Sequence, residues 1–181
     1  VMTDNSEAAH KLVNYLIKQG HKRIGAVFSD LGITTGRERF EGYKRALREA
    51  GLPLDETLVR TGLPMDEDGY RLAKSLLESS PRPTALFTGS KLLTYGALHA
   101  IYDAGLNIPN DIALASFDPL DWMPALPVMS YAEQPAYELG KTATELLFKR
   151  LETPSRAAQK VVLESTIHFD SSYKPRVARP P

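Results

Sequence analysis

The sequence predicts an α/β fold in which helices cover both faces of a doubly wound parallel sheet. Short apolar runs alternate with segments whose apolar residues recur every three or four positions, the period of an amphipathic helix. The apolar runs lack the polar alternation of a strand that faces water on one side, as expected of a buried parallel sheet. Consecutive parallel strands are then joined by right-handed helical crossovers.

Four apolar runs are the candidate strands of this sheet. The first covers residues 23–28 after a polar turn, the third covers residues 84–88, and the fourth covers residues 112–117. The second, at Leu58 and Val59, is shorter and weaker. All four lie in the middle of the chain with helical segments between them, so they predict one sheet.

Helices are predicted between these strands. One runs over residues 37–50 and ends at Gly51, since glycine commonly follows the carboxyl terminus of a helix. A second carries its apolar face over residues 70–77. A third begins after Ser90, whose side chain can cap its amino terminus, and stops at Gly105. The sheet would cover the apolar face of each helix.

Both ends of the chain carry elements that this sheet does not use. Residues 6–19 form a predicted helix with an apolar side, but no strand precedes it to pack against. Residues 128–131 are extended, residues 136–152 form another helix, and residues 161–169 alternate like a strand. We therefore expect part of a second lobe, reached by segments that cross between the lobes.

Composition excludes several function classes. The 22 basic residues balance 22 acidic ones, so no global field attracts the chain to DNA or to an anionic membrane. The apolar runs are far shorter than the ~20 residues that a membrane span needs, and residues 1–5 do not begin a signal peptide. There is no cysteine, which excludes disulfides and thiolate chemistry. We expect a cytoplasmic globular protein without a cofactor or a metal.

An enzyme is not the favoured interpretation. No nucleophile elbow, phosphate loop or dinucleotide-binding glycine motif follows a strand. His21 precedes a strand and is expected to be structural, while Asp118 and Asp121 are a candidate carboxylate pair on which nothing else converges. The histidines are scattered without metal-ligand spacing, at His10, His21, His99 and His168.

Candidate ligand-binding residues come from the carboxyl edge of the predicted sheet, where open parallel sheets bind their ligands. Four loops meet there, at residues 29–39, 62–65, 89–90 and 118–122. The side chains that they offer include Thr35, Arg39, Ser90, Asp118 and Trp122. Directed, charge-assisted hydrogen bonds from such groups suit a small polyhydroxylated or anionic ligand. The alternative is that Arg39 and Asp118 pair with each other or cap helices.

Five segments carry motifs in a fixed order. They are residues 16–24 with Gly-His-Lys-Arg-Ile, residues 39–43 with Arg-x-x-Gly-aromatic, residues 83–98 with Pro-Thr-Ala-Leu-Phe and a later Gly-Ala, residues 105–113 with Pro-x-Asp-Ile, and residues 134–143 with Gln-Pro and a later Leu-Gly. This ordered set, extending from residue 4 to about residue 170, resembles the effector-binding region of the LacI/GalR family of transcription regulators.

The resemblance implies a periplasmic-binding-protein-like fold of type I, whose two lobes enclose a sugar or sugar derivative. One lobe would be nearly complete in this chain and the other partial. Carried over by position, the resemblance implies ligand contacts from Thr35, Arg39, Ser90, Asp118 and Gln134. It also implies a homodimer, for which the candidate contacts are Leu92, Tyr95, His99, Trp122 and Met123. Trp122 could instead close the mouth of the cleft over the ligand.

Three departures from the family pattern bear on the ligand. Ser90 and Lys91 stand where the family usually has Asn-Asp, and Pro64 stands where many sugar-responsive members have an aromatic residue. The arginine that is usual near the last strand is absent around residues 169–171. Because Lys91 adds positive charge near the cleft, an anionic effector such as a sugar phosphate or sugar acid is an alternative to a neutral sugar.

The resemblance further implies a carboxy-terminal fragment without its helix-turn-helix, so that operator DNA would be bound only through the absent segment. The expected divisions are residues 1–20 as a helix of the incomplete amino-terminal lobe, 21–127 as the carboxy-terminal lobe, 128–156 as the return crossing and its helix, 157–172 as the final strand, and 173–181 as a tail. In this arrangement the helix faces at Leu12/Leu16 and Leu139/Leu146 lack partners, which favours self-association.

Two other functions fit the same fold. A sugar-binding component of a transport system would have a signal peptide before Val1, whereas a regulator would have a helix-turn-helix, and the Gly-His-Lys-Arg-Ile motif favours the regulator. A pure dimerisation module is the third alternative. For a regulator, the expected mechanism is a population shift, in which a ligand that prefers one lobe arrangement changes the spacing of attached DNA-binding segments.

Overall fold

The computed structural model describes residues 1–120 and 129–170. In chain order, its helices and strands are β1 (Met2–Thr3), α1 (Asn5–Lys18), β2 (Ile24–Ser29), α2 (Thr34–Glu49), β3 (Val59–Gly62), α3 (Asp66–Leu77), β4 (Ala85–Thr88), α4 (Lys91–Asp103), β5 (Ala113–Phe117), β6 (Ser130–Glu133), α5 (Ala136–Glu152), β7 (Val162–Leu163) and β8 (Thr166–His168). A short 3-10 helix, Glu56–Leu58, precedes β3. The helices in this described part of the chain are too short or too polar to cross a lipid bilayer.

The main sheet contains six strands in the order β3-β2-β4-β5-β6-β8. The five strands from β3 to β6 pair in parallel, and β8 pairs antiparallel with β6 at the edge. All four strands that the sequence predicts are present as β2, β3, β4 and β5, and the predicted helices lie between them. The predicted α/β class and its doubly wound parallel sheet are therefore confirmed.

Two separate hydrophobic cores cover the two faces of this sheet. Along β2, Phe28 belongs to the core beneath α1 and α2, whereas the preceding residue, Val27, belongs to the core beneath α3 and α4. The same alternation separates Phe87 from Leu86 in β4 and Ala115 from Leu114 in β5. Because successive residues of a strand point to opposite faces, burial on both faces requires the uniformly apolar runs seen in the sequence.

The helix predicted over residues 6–19 packs differently from the prediction. Leu12 and Leu16 are fully buried in the core that α1 shares with α2 and the sheet. At the α1–α2 contact, a Cβ added at Gly42 would lie only 2.3 Å from the carbonyl oxygen of Ser6, so these helices are in close backbone contact. The predictions that this helix belongs to another lobe and that its apolar face lacks a partner are wrong. Besides α2, its partners are β5 and β6, which lie later in the sequence and form part of the surface that covers its apolar face.

Only part of the other end segments joins the main sheet, as β6 and β8. Helix α5 occupies the predicted range of 136–152 but has no buried residue, and Leu147 and Phe148 are exposed. The strand predicted over residues 161–169 is divided into β7, which pairs in parallel with β1, and β8, which pairs with β6. The division falls at Ser165, whose backbone N–H and hydroxyl both donate to Asp4 Oδ1, at 2.8 and 2.7 Å. The predicted tail over residues 173–181 lies outside the described residues.

Candidate functional site

Arg39 is a buried cation at the carboxyl edge of the sheet. It lies in the second turn of α2, is only 5% exposed, and reaches across the ends of the strands. Its Nε donates to Asn5 Oδ1 at 2.9 Å, its Nη1 to the carbonyl oxygen of Gly89 at 2.6 Å, and its Nη2 to Gln134 Oε1 at 3.2 Å. A buried charge requires such partners, because burying it without them costs on the order of several kcal/mol.

The aromatic ring of Phe117 forms one side of this site. The guanidinium carbon of Arg39 lies 3.7 Å from the ring centroid, the geometry of a cation–π contact. Burial lowers the pKa of Arg39 to about 10, while the nearby charges of Asp118 and Glu38 act to raise it. The guanidinium therefore remains charged at neutral pH and can attract an acceptor or an anion.

Asp118 follows the last residue of β5 with a positive φ of 67°, a conformation that few non-glycine residues adopt. Its backbone N–H donates to the carbonyl oxygen of Ala132 at 2.8 Å, and its own carbonyl accepts the hydroxyl of Ser116 at 3.2 Å. These bonds fix the backbone at the end of β5 against β6, so the carboxylate is presented at the carboxyl edge of the sheet.

Gln134 joins Asp118 to Arg39. Its backbone N–H and its Nε2 donate to the two carboxylate oxygens of Asp118, at 3.3 and 2.7 Å. Its Oε1 accepts from Arg39 and also from Thr3 Oγ1, the latter at 3.2 Å. Three of the five predicted ligand residues thus form one network, although they come from α2, the end of β5 and the end of β6. Arg39 and Asp118 are connected through this amide and not by a direct ion pair.

Two members of the network were not predicted from the sequence. Asn5, at the start of α1, is 1% exposed and contacts Arg39 directly, and Thr3 in β1 contacts Gln134. The available signal was that Asn5 is a polar residue at the start of an amphipathic helix, a position that ordinarily faces solvent. Its approach to Arg39 depends on the packing of α1 against α2, a contact that local sequence patterns do not predict.

The other two predicted ligand residues lie at the same edge but outside this network. Thr35 is exposed in the first turn of α2. Ser90 is the N-cap of α4, with its Oγ accepting from the backbone N–H of Leu93 at 3.4 Å. The capping role expected of Ser90 is confirmed, and a ligand contact from either residue stays a prediction.

The candidate dimer contacts are divided by their exposure. Leu92 is 48% exposed, and the side chain of His99 is exposed on the same helix, α4. Tyr95 is buried in the core beneath α3 and α4, so its ring packs within the protein. Trp122 and Met123 lie outside the described residues, as does Asp121 of the candidate carboxylate pair.

The histidine that could have served as a base is part of the core. His21 is 4% exposed, and its Nδ1 lies 3.0 Å from the hydroxyl of Thr84. Both residues precede parallel strands, so they lie at the edge of the sheet opposite to the carboxyl edge. Over residues 1–120 and 129–170, no group of three histidine or carboxylate side chains has the geometry to hold a metal ion.

Comparison with known proteins places this site in a family context. Residues 13–172 match the model of the periplasmic binding protein-like domain. Catabolite control protein A of Priestia megaterium is 34% identical over 176 residues, which are 96% of this chain and 53% of that protein. The ribose operon repressor of Escherichia coli is 33% identical over 165 residues, covering 90% of this chain and 50% of the relative.

A solved structure supports the same relationship. The complex of the transcriptional regulator CelR with cellobiose superposes with a TM-score of 0.86 at 30% identity, over 92% of this chain and 51% of that one. This chain therefore spans about half the length of the curated relatives that it matches.

Proposed function

The chain belongs to the family of periplasmic binding protein-like domains, and we propose that it is the effector-binding region of a LacI/GalR-type transcription regulator. Its effector is a sugar or a sugar derivative. We assign operator binding to the whole regulator, since this chain matches only about half of the ribose operon repressor.

The observation that carries this proposal is the Arg39–Gln134–Asp118 network at the carboxyl edge of the sheet. An arginine side chain has five N–H donors, and three bonds to protein acceptors leave two unused. The Asp118 carboxylate accepts two bonds from Gln134, and its oxygens have capacity for further donors. Neighbouring hydroxyls of a sugar both donate and accept, so a donor and an acceptor side by side suit them.

The names of similar proteins support a sugar. One relative is a ribose operon repressor, and one structural neighbour is a complex with cellobiose. Lys91 is the first residue of α4 and follows Ser90. Because its side chain is positively charged, a sugar phosphate is the alternative ligand. Such a ligand would bind more weakly as salt is added, because salt screens the attraction between charges.

Titration calorimetry with D-ribose, cellobiose and ribose 5-phosphate tests the proposal. We expect at least one of the three to bind, and Asp118→Asn to weaken that binding by about tenfold, the effect of one charge-assisted hydrogen bond. The matched control is Asp103→Asn, since Asp103 is exposed at the end of α4. Equal affinity of ribose and its phosphate at low and high salt would remove the anionic alternative. Equal losses from both aspartate variants would contradict the proposed site.

Dimerisation is the second part of the proposal. Leu92 on α4 is exposed beside His99, and Leu63 and Met65 are exposed just before α3, which packs against α4. We expect Leu92→Glu to shift sedimentation equilibrium toward monomer, because a buried charge would be left unpaired in the contact. Leu54→Glu is the control, since Leu54 has similar exposure but lies in the loop before the 3-10 helix. Equal behaviour of the two variants would contradict this dimer surface.

A further inference from the structure

Asn5 uses its whole side-chain amide in contacts around Arg39. Its Oδ1 accepts from Arg39 Nε at 2.9 Å and lies 3.3 Å from Thr3 Oγ1, whose single hydroxyl proton is shared with Gln134 Oε1. Its Nδ2 donates to the carbonyl oxygen of Thr3 at 3.3 Å and to Glu38 Oε2 at 3.0 Å. Both N–H donors of this buried amide therefore have acceptors, and its oxygen accepts the Nε–H of Arg39.

Glu38 determines which end of the amide faces Arg39. An ionised carboxylate only accepts hydrogen bonds, so Glu38 selects the Nδ2 end of Asn5. The oxygen end is then left for Arg39, whose guanidinium only donates. The neighbouring residues Glu38 and Arg39 thus hold opposite ends of one amide, and a rotation of that amide by half a turn would place donors against donors.

From this arrangement we infer that Asn5 is a positioning residue for Arg39, oriented by Glu38. The bond at Nε and the bond from Nη1 to Gly89 constrain two points of a planar group, and the ring of Phe117 lies against it. Together they direct Nη2 toward Gln134, and therefore toward Asp118. The consequence for ligand affinity rests on the proposed function, whereas the consequence for the orientation of Arg39 does not.

Substitutions at position 5 separate the acceptor from the shape of the side chain. Asn5→Leu keeps a similar size but has no acceptor for Arg39 Nε. The double variant Asn5→Asp with Glu38→Gln restores an acceptor and reverses the second bond, since the new glutamine amide can donate to the new carboxylate. Asn14→Leu is the matched control, because Asn14 lies on the same helix away from Arg39.

The first measurement needs no ligand. The Nε–H of Arg39 gives its own signal in a nitrogen–proton spectrum, and we expect it to exchange with water about tenfold more slowly than that of exposed Arg37. Asn5→Leu should abolish this protection, and the double variant should restore it. Protection that survives Asn5→Leu, or that is lost equally in the double variant, would overturn the inference.

The second measurement is the affinity for D-ribose, or for whichever of the three probes binds. We expect Asn5→Leu to weaken binding about tenfold, with recovery in the double variant and no change in Asn14→Leu. Equal weakening in the Asn5→Leu and double variants would assign Asn5 a merely structural role. If the unmodified chain binds none of the probes, the proposed function fails, and the exchange of the Arg39 Nε–H alone decides the positioning role.

Discussion

Gly96 marks the closest approach of α3 and α4 and allows a sharp test of the packing. A Cβ at this position would lie 2.0 Å from the carbonyl oxygen of Asp66 and 2.3 Å from the backbone nitrogen of Tyr70. Carbon–oxygen contacts normally begin near ~3.3 Å, so the two helices would have to separate by roughly 1 Å. Side-chain rotation cannot relieve the clash, because both neighbouring atoms belong to backbone.

The magnitude follows from two opposing effects. Overpacking costs about 1–3 kcal/mol, and a contact against backbone belongs at the upper end of that range. Alanine recovers about 1 kcal/mol over glycine in a helix. We therefore expect Gly96→Ala to lower the free energy of unfolding by about 2 kcal/mol.

Gly140 is the matched control, since it also lies within a helix but has nothing within 4 Å of an added Cβ. Gly140→Ala should raise the free energy of unfolding by about 0.5–1 kcal/mol. Urea denaturation followed by circular dichroism measures both changes, provided that the slope with denaturant is the same in all three proteins. An unchanged stability of Gly96→Ala, or a change of the same sign in both variants, would refute the described packing of α3 and α4.

Two further predictions concern α1. Leu12→Ala should cost about 2–5 kcal/mol of unfolding free energy, because Leu12 is fully buried, whereas Leu147→Ala at an exposed position should change it by less than about 0.5 kcal/mol; equal effects would place α1 outside the core. The hydrogen bond from Arg45, at 2.6 Å, lowers the pKa of Glu7 below the ordinary glutamate value. This pair therefore contributes stability that is fully present above the ordinary glutamate pKa and is lost as the pH falls through the lowered folded-state pKa. Arg45→Gln should raise the pKa of Glu7 in an NMR titration, and an unchanged pKa would show that the bond is absent in solution.

The central strands were predictable because each is buried on both faces. Runs such as residues 84–88 and 112–117 are apolar at nearly every position, and this uniformity distinguishes them from loops and from amphipathic helices. β3 was harder to delimit, because it lies at the edge of the sheet and contains Arg60 and Thr61. As an edge strand, β3 has a neighbouring strand on one side only, so polar residues are tolerated in it.

The placement of α1 was not predictable from local patterns. Its periodicity gave its extent within a residue or two, but its partners are α2 and strands that occur more than a hundred residues later, β5 and β6. The same long-range packing brings Asn5 and Thr3 to Arg39 and Gln134. Residues 161–169 were similarly ambiguous, because the bond between Asp4 and Ser165 that accompanies the change of sheet joins opposite ends of the chain.

Part of the site followed from a general rule, and part did not. Arg39 and Asp118 lie at the carboxyl ends of parallel strands, where such sheets bind ligands, so sequence order was sufficient to select them. The bridging geometry of Gln134 was not, because it depends on the turn at Asp118 and on the pairing of β5 with β6. Side-chain direction at a strand end is a property of the assembled sheet.

The most direct test of the central claim is to map ligand-induced NMR shift changes onto the backbone amides of the chain, using the sugar that binds most tightly in the calorimetric panel. We predict the largest changes at Gly89, Ser90, Asp118 and Gln134, at the carboxyl edge of the sheet. The structure also offers a different cavity, of about 390 Å³, lined by residues that include Leu147, Arg150 and Arg156. Changes confined to that cavity would contradict the account, because the sugar would then bind without the Arg39–Gln134–Asp118 network.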